Sequence, residues 1–228
     1  PLKEALEEIG KVTVLVPEKE CSAESHSLTL HKPLRIRQIR DRVYIINGSP
    51  ADCTRLGALK ILKGGVDLIV SGINRGYNLG QDVLYSGTVA AAMEGTLMGF
   101  PAFAVSHGIP VNDYNRGAQF ASRLALQILK KNLPSRICLN VNIPVKIASS
   151  NNPAEVTRLG ERVYAKTVTM RSDPNGNTYF WLIGKILKGR LQPGTDVAAT
   201  KKGFISITPL QADNTDHSFL NKLKAWHF

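Results

Sequence analysis

Apolar residues fall along this chain in short runs separated by polar and glycine-rich turns, the spacing of a protein that alternates strands with helices. Leu2 to Glu8 predicts a short helix stopped by Gly10, and Val12-Thr13-Val14-Leu15-Val16 predicts a strand closed by Pro17. A polar loop covers 18–27, Leu28-Thr29-Leu30 reads as strand-like, and Val43-Tyr44-Ile45-Ile46 reads as a strand ending at Gly48-Ser49-Pro50. Ala51 to Leu62 predicts a helix. Asp67-Leu68-Ile69-Val70 and Ala102-Phe103-Ala104-Val105-Ser106 are buried-strand patterns, and Asn115 to Lys131 has the period of an amphipathic helix. This repeated alternation predicts an α/β fold with a largely parallel sheet covered by helices.

After Pro144 the pattern changes. Arg162 to Val168 and Thr178-Tyr179-Phe180-Trp181-Leu182 flank the turn Asp173-Pro174-Asn175-Gly176, which predicts a projecting β-hairpin. A strand over Phe204-Ile205-Ser206-Ile207-Thr208 and a short helix near Phe219 to Trp226 close the chain. We divide it into a core α/β region, 1–145, and a C-terminal region, 146–228, that completes the same domain. The aromatic hairpin cannot bury its apolar face alone, so its expected place is a subunit interface.

The densest chemistry follows the strand at Asp67. The loop Ser71-Gly72-Ile73-Asn74-Arg75-Gly76-Tyr77-Asn78-Leu79-Gly80 is followed by Ser86-Gly87-Thr88 at the start of the helix-forming Val89-Ala90-Ala91-Ala92-Met93-Glu94. Strand, glycine loop and helix N-terminus together favour an anion such as phosphate. The glycines let backbone amides approach, and Ser86 and Thr88 add hydroxyls. A chain-reversing turn explains the glycines equally, and a helix cap explains Thr88. Asn74 and Asn78 exceed what a turn requires. No Gly-Lys-Ser/Thr and no Gly-x-Gly-x-x-Gly follows, which argues against a nucleoside-triphosphatase or a dehydrogenase.

At 228 residues, with 43% hydrophobic and 21% charged residues, the composition is that of a globular protein. No apolar run reaches the roughly 18 residues of a membrane span, and the first residues do not form a signal peptide. Three cysteines (Cys21, Cys53 and Cys138) without metal-type spacing suggest reduced thiols in a cytoplasm. The net charge of +11 suits an anionic substrate. Its densest run, Lys32 to Arg42, reads as a strand with one solvated face and lacks the aromatics of a nucleic-acid surface.

Several stretches together resemble the SurE, or survival protein E, nucleotidases. They are Pro17 to Thr29, Gly48 to Cys53, Ser71 to Gly80, Tyr85 to Gly95, Pro193-Gly194-Thr195-Asp196 and Gly203 to Leu210. The resemblance implies a Rossmann-like three-layer α/β/α fold with a mostly parallel sheet and a projecting C-terminal hairpin. It implies a metal-dependent phosphomonoesterase that hydrolyses nucleoside 5′- and 3′-monophosphates, in some members also polyphosphate. It further implies one divalent ion per subunit, Mg²⁺ or Mn²⁺, with Ser22 and Asn74 among its ligands. Asn78, Ser86, Gly87 and Thr88 shape the phosphate pocket, and subunits associate as dimers or tetramers that exchange C-terminal elements.

The family's paired metal-binding aspartates stand in an Asn-Asp-Asp-Gly segment that this sequence does not contain. Asp41, Asp52, Asp67 and Asp82 belong to other motifs. The expectation is either a sequence without its true N-terminus, which we favour, or a polypeptide without turnover. The alternative functions are a nucleotide- or phosphate-binding module and an RNA-associated protein. His26, four residues after Ser22, is a candidate proton donor or a structural hydrogen-bonder.

Overall fold

The computed structural model describes residues 1–63, 65–111, 113–146, 148, 153–165, 167–182 and 191–226. The elements in order are α1 (Leu2–Glu7), β1 (Val14–Pro17), β2 (Ile36–Arg40), β3 (Val43–Ile46), α2 (Pro50–Leu56), β4 (Ile69–Arg75), α3 (Gly87–Leu97) and β5 (Ala102–His107). They continue with α4 (Asn115–Lys131), β6 (Ile137–Ile143), β7 (Ala154–Val156), β8 (Thr169–Ser172), β9 (Thr178–Trp181), α5 (Asp196–Lys201), β10 (Ile205–Gln211) and α6 (His217–Lys224). The main sheet has the order β4-β5-β6-β10-β7, with β4, β5 and β6 parallel and β10 antiparallel to β6. A second sheet, β1-β3-β2, pairs β1 parallel to β3.

Side-chain alternation along β5 explains why the sheet is covered on both faces. Phe103 and Val105 point to one face, where they meet Ala121, Ala125 and Ile128 of α4 and Val141 and Ile143 of β6. Ala102 and Ala104 point to the other, against Val89 and Ala92 of α3. Every residue of β5 is buried, and each large apolar side chain so enclosed contributes about 2 kcal/mol. The α/β alternation therefore yields the three layers that its pattern predicts. The C-terminal region joins the same sheet, since β10 lies between β6 and β7. No helix among the described residues is long and apolar enough to cross a membrane.

β1 of the second sheet and β4 of the main sheet, Asn74 included, line a cavity of about 470 Å³ that also takes in Leu6 and Thr88.

Four elements differ from the sequence expectation. Leu28-Thr29-Leu30 forms no strand, because the Thr29 amide donates to Asp52 Oδ1 at 3.1 Å and ties this stretch to α2. The helix expected over 51–62 ends at Leu56 and continues as one wide turn over Gly57–Ile61. β4 runs on to Arg75, because Asn74 and Arg75 pair with Ser106 and His107 after a register shift. The first hairpin strand is Thr169–Ser172, set by the turn in which Asp173 Oδ1 accepts from the Asn175 and Asn177 amides. Arg162 and Tyr164, expected in that strand, instead bind Asp82.

The Ser49–Asp52 pair at the start of α2 is a capping box: Ser49 Oγ accepts from the Asp52 amide and Asp52 Oδ2 accepts from the Ser49 amide. Burial would raise the Asp52 pKa, but the hydrogen bonds from Thr29 and Ser49 outweigh it and hold the carboxyl below its usual value. A depressed folded pKa adds stability above the unfolded value, and that share is lost as pH falls. Asp52→Ala is expected to lower stability by about 1–2 kcal/mol at pH 7 in urea unfolding, and the gap to wild type should narrow below about pH 4.

Candidate functional site

The glycine loop leaves the carboxyl end of β4, where an α/β sheet places its ligands. Gly72 is required where β4 bulges, since a Cβ there would lie 2.3 Å from the Val105 carbonyl oxygen at φ +131°. Asn74 follows it, half-buried, with Nδ2 donating to the Gly76 carbonyl at 3.0 Å. That bond fixes the carboxamide and leaves Oδ1 as an acceptor. Asn74 and Thr88 line the same cavity.

Asn78 is held from two strands, β5 and β6. Its amide donates to Asn142 Oδ1 at 2.9 Å, and its carbonyl accepts from Asn140 Nδ2 and Asn142 Nδ2 at 2.8 and 3.0 Å. Its own Nδ2 donates to Ser106 Oγ at 2.7 Å. Buried carboxamides hold position in this way because leaving any of these groups unpaired is expensive. The Asn140 and Asn142 roles were not read from the sequence. Two asparagines at i and i+2 inside an apolar strand were the available signal.

The cap of α3 is Ser86, whose Oγ accepts from the Val89 amide at 3.1 Å. Thr88 therefore is not the cap. It stands in the first turn, half-buried. Among the described hydrogen bonds, none uses the amides of Gly87 and Thr88 as donors. Two free amides at the positive end of an eleven-residue helix are the physical basis of an anion site.

The Pro193-Gly194-Thr195-Asp196 motif fixes the far side of the loop. Asp196 is fully buried; Oδ2 accepts from the Gly80 amide at 2.8 Å and Oδ1 from the Gly160 amide at 2.7 Å. Gly80 has φ +54°, and a Cβ there would meet the Gly160 carbonyl oxygen at 2.4 Å. Arg162 pairs with Asp82 just beyond, with the Tyr164 hydroxyl donating to the same carboxylate at 2.7 Å.

The segment 18–31 lies against the other side of α3. The Ser25 amide donates to the Tyr85 carbonyl at 3.1 Å, and the Cys21 carbonyl lies 3.5 Å from the Cβ position of Gly87. Ser22 is exposed in this segment. His26 Nε2 lies 2.7 Å from Glu94 Oε2 on α3. Thus the turn Ser86-Gly87-Thr88, Asn74 and the Ser22 segment gather around α3.

Asn74 Oδ1 and the Ser22 hydroxyl are hard, neutral oxygens, the kind that suits Mg²⁺ or Mn²⁺. Among the described residues no three His, Cys, Asp or Glu side chains converge as a metal site. The pair fits a hard cation in kind, with anionic oxygens needed to complete it. Thiol chemistry is disfavoured: burial pushes the Cys53 and Cys138 thiols up to about 12, leaving them protonated at neutral pH.

The family profile of Survival protein SurE matches residues 1–166. A protein named 5′-nucleotidase SurE from Caldanaerobacter subterraneus subsp. tengcongensis is 44% identical over 231 residues, covering 99% of this chain and 90% of the relative. Another of that name, from Geobacter sulfurreducens, is 44% identical over 230 residues, covering 99% and 87%. The crystal structure of the SurE protein from Aquifex aeolicus superposes with a TM-score of 0.86 at 37% identity, covering 98% of this chain and 91% of that one.

Proposed function

Since this chain belongs to the SurE family, whose 5′-nucleotidase relatives it matches along nearly its whole length, we propose that its α3 turn holds the phosphate of a nucleoside 5′- or 3′-monophosphate for metal-assisted hydrolysis. The enzyme is a hydrolase of the nucleotidase class. The observation that carries the reading is the pair of unpartnered amides at Gly87 and Thr88, beside a cavity that Asn74 and Thr88 share.

In this reading the Gly87 and Thr88 amides and the Thr88 hydroxyl donate to the non-bridging phosphate oxygens. They stabilise charge as the ester bond to phosphorus breaks and water adds. Asn78 holds the loop against the sheet, and Ser86 keeps the turn in shape. Asn74 and Ser22 would hold one Mg²⁺ or Mn²⁺ ion, which when bound supplies positive charge to the phosphoryl group. The ends of polyphosphate present the same group, so slower release from polyphosphate belongs to the proposal. The three reduced thiols suit a cytoplasmic setting.

A phosphate-binding module without turnover is the second reading, and the neutrality of Asn74 and Ser22 favours it. Incubation of the protein with 5′-AMP and Mn²⁺ separates the two. With the family's aspartate segment present in the polypeptide, the expected result is phosphate release that EDTA abolishes and added Mn²⁺ restores. Binding of AMP without release would establish the module, and release insensitive to EDTA would remove the metal from the proposal.

We also propose that the β8–β9 hairpin joins subunits in a dimer or tetramer. It pairs with no other sheet among the described residues, and Met170, Phe180 and Trp181 are 67%, 62% and 52% exposed. Aromatic density of this kind marks interface cores. Removing residues 167–178 and closing the gap with a short turn should lower the mass measured by light scattering. A folded variant of unchanged mass would exclude the hairpin as the joint.

A further inference from the structure

Glu94 is 2% exposed, on the face of α3 that begins at Gly87, seven residues and about two turns away. A carboxylate so buried needs hydrogen-bonding or charged partners, and it has two. Arg55 Nη1 lies 2.5 Å from Oε1, and His26 Nε2 lies 2.7 Å from Oε2. Arg55 comes from α2, which packs on α3 through Thr54 Oγ1 donating to the Ala91 carbonyl at 2.9 Å. His26 comes from the exposed segment that carries Ser22.

Beyond His26 the segment is tied to α2, where Ser49 Oγ donates to the Ser27 carbonyl at 2.7 Å and the Thr29 amide donates to Asp52, but the stretch 21–26 has less to hold its shape. Ala23 and Ser25 have φ of +56° and +54°, a region that residues with side chains seldom occupy unless surrounding contacts impose it. Among the described residues, the one backbone hydrogen bond from Cys21–His26 to the rest of the protein is the Ser25 amide on the Tyr85 carbonyl. The His26 ring is the side-chain anchor at the end of the strained stretch. Its Nε2 hydrogen is committed to Glu94, in line with a positioning task rather than delivery of a proton to a leaving group.

We propose that Glu94, braced by Arg55, clamps His26 and thereby holds the Ser22 segment along α3 beside the Gly87 turn, with His26 as a positioning residue. The inference rests on the nucleotidase reading for its consequence in turnover but not for the clamp itself. Without the clamp the Ser22 segment opens away from α3, and the hydroxyl leaves the site.

The test uses His26→Ala and His26→Gln in the otherwise unchanged protein, since glutamine keeps an N–H donor for Glu94 but cannot act as an acid near neutral pH. Hydrogen exchange of the Ser25 amide, which is bonded to the Tyr85 carbonyl, is followed together with 5′-AMP hydrolysis across Mn²⁺ concentration and pH. In His26→Ala that amide should exchange at least about tenfold faster, as expected for a lost local anchor. The Mn²⁺ concentration for half-maximal rate should rise, and the pH dependence of kcat should stay as in wild type. His26→Gln should recover most of both effects. Unchanged exchange in His26→Ala overturns the clamp. Loss of one limb of the kcat pH profile in both variants, with exchange unchanged in His26→Gln, makes His26 a proton donor and overturns the positioning role. If wild type releases no phosphate, the nucleotidase reading fails by itself, and the exchange result still decides the clamp.

Discussion

Asn74→Ala is expected to lower the Mn²⁺-dependent hydrolysis of 5′-AMP by about 100-fold at limiting metal, the scale of a lost polar group in a preorganised site. Stability should fall by only about 1 kcal/mol, because a single hydrogen bond, to the Gly76 carbonyl, is removed. The disparity follows from position. Asn74 is the penultimate residue of β4, opposite Ser106, and its neighbours in the strand keep their pairing with β5 whatever its side chain. The vacated carboxamide leaves a weaker cation site rather than a broken sheet, so raising Mn²⁺ should recover part of the rate. Steady-state rates over a metal titration, beside a urea unfolding curve, check both halves. Wild-type turnover at limiting Mn²⁺ would remove Asn74 from the metal site.

The second large effect is structural. Asp196→Ala should destabilise the protein by about 4 kcal/mol, because the amides of Gly80 and Gly160 lose a charged acceptor in a buried place. Asp196→Asn restores only one acceptor oxygen and turns an N–H₂ toward the other amide, so it should recover part of the loss. The damage should also reach the site, since Gly80 closes the glycine loop. In Asp196→Asn, loosened exchange at 76–82 and reduced turnover are expected together. Stability within about 0.5 kcal/mol of wild type, the size of an ordinary surface substitution, would show that Asp196 does not carry this load.

The hydrophobic pattern determined local structure wherever the environment is uniform along an element. β3 spans Val43–Ile46 and α4 spans Asn115–Lys131, as their apolar spacing predicts. The same spacing misplaced the first hairpin strand, because Arg162 and Tyr164 carry strand propensity but find a better partner in Asp82, eighty and eighty-two residues away. Leu28-Thr29-Leu30 failed as a strand for the same reason, since a bond to Asp52 captured its backbone.

The site divides along that line. The glycine loop, the helix start and the asparagines were legible, because close backbone approach and exposed amides require residue types that stand out in sequence. Their supports were not. Asp196 on Gly80, Asn142 on Asn78 and Glu94 on His26 join residues 116, 64 and 68 positions apart. In sequence an aspartate, an asparagine or a glutamate is first a surface residue. Only burial, which removes water as the competing partner, turns those side chains into the bonds that position the loop. Sequence alone thus determined which residue types stand at the glycine loop and the start of α3, and tertiary structure decided what holds them in place.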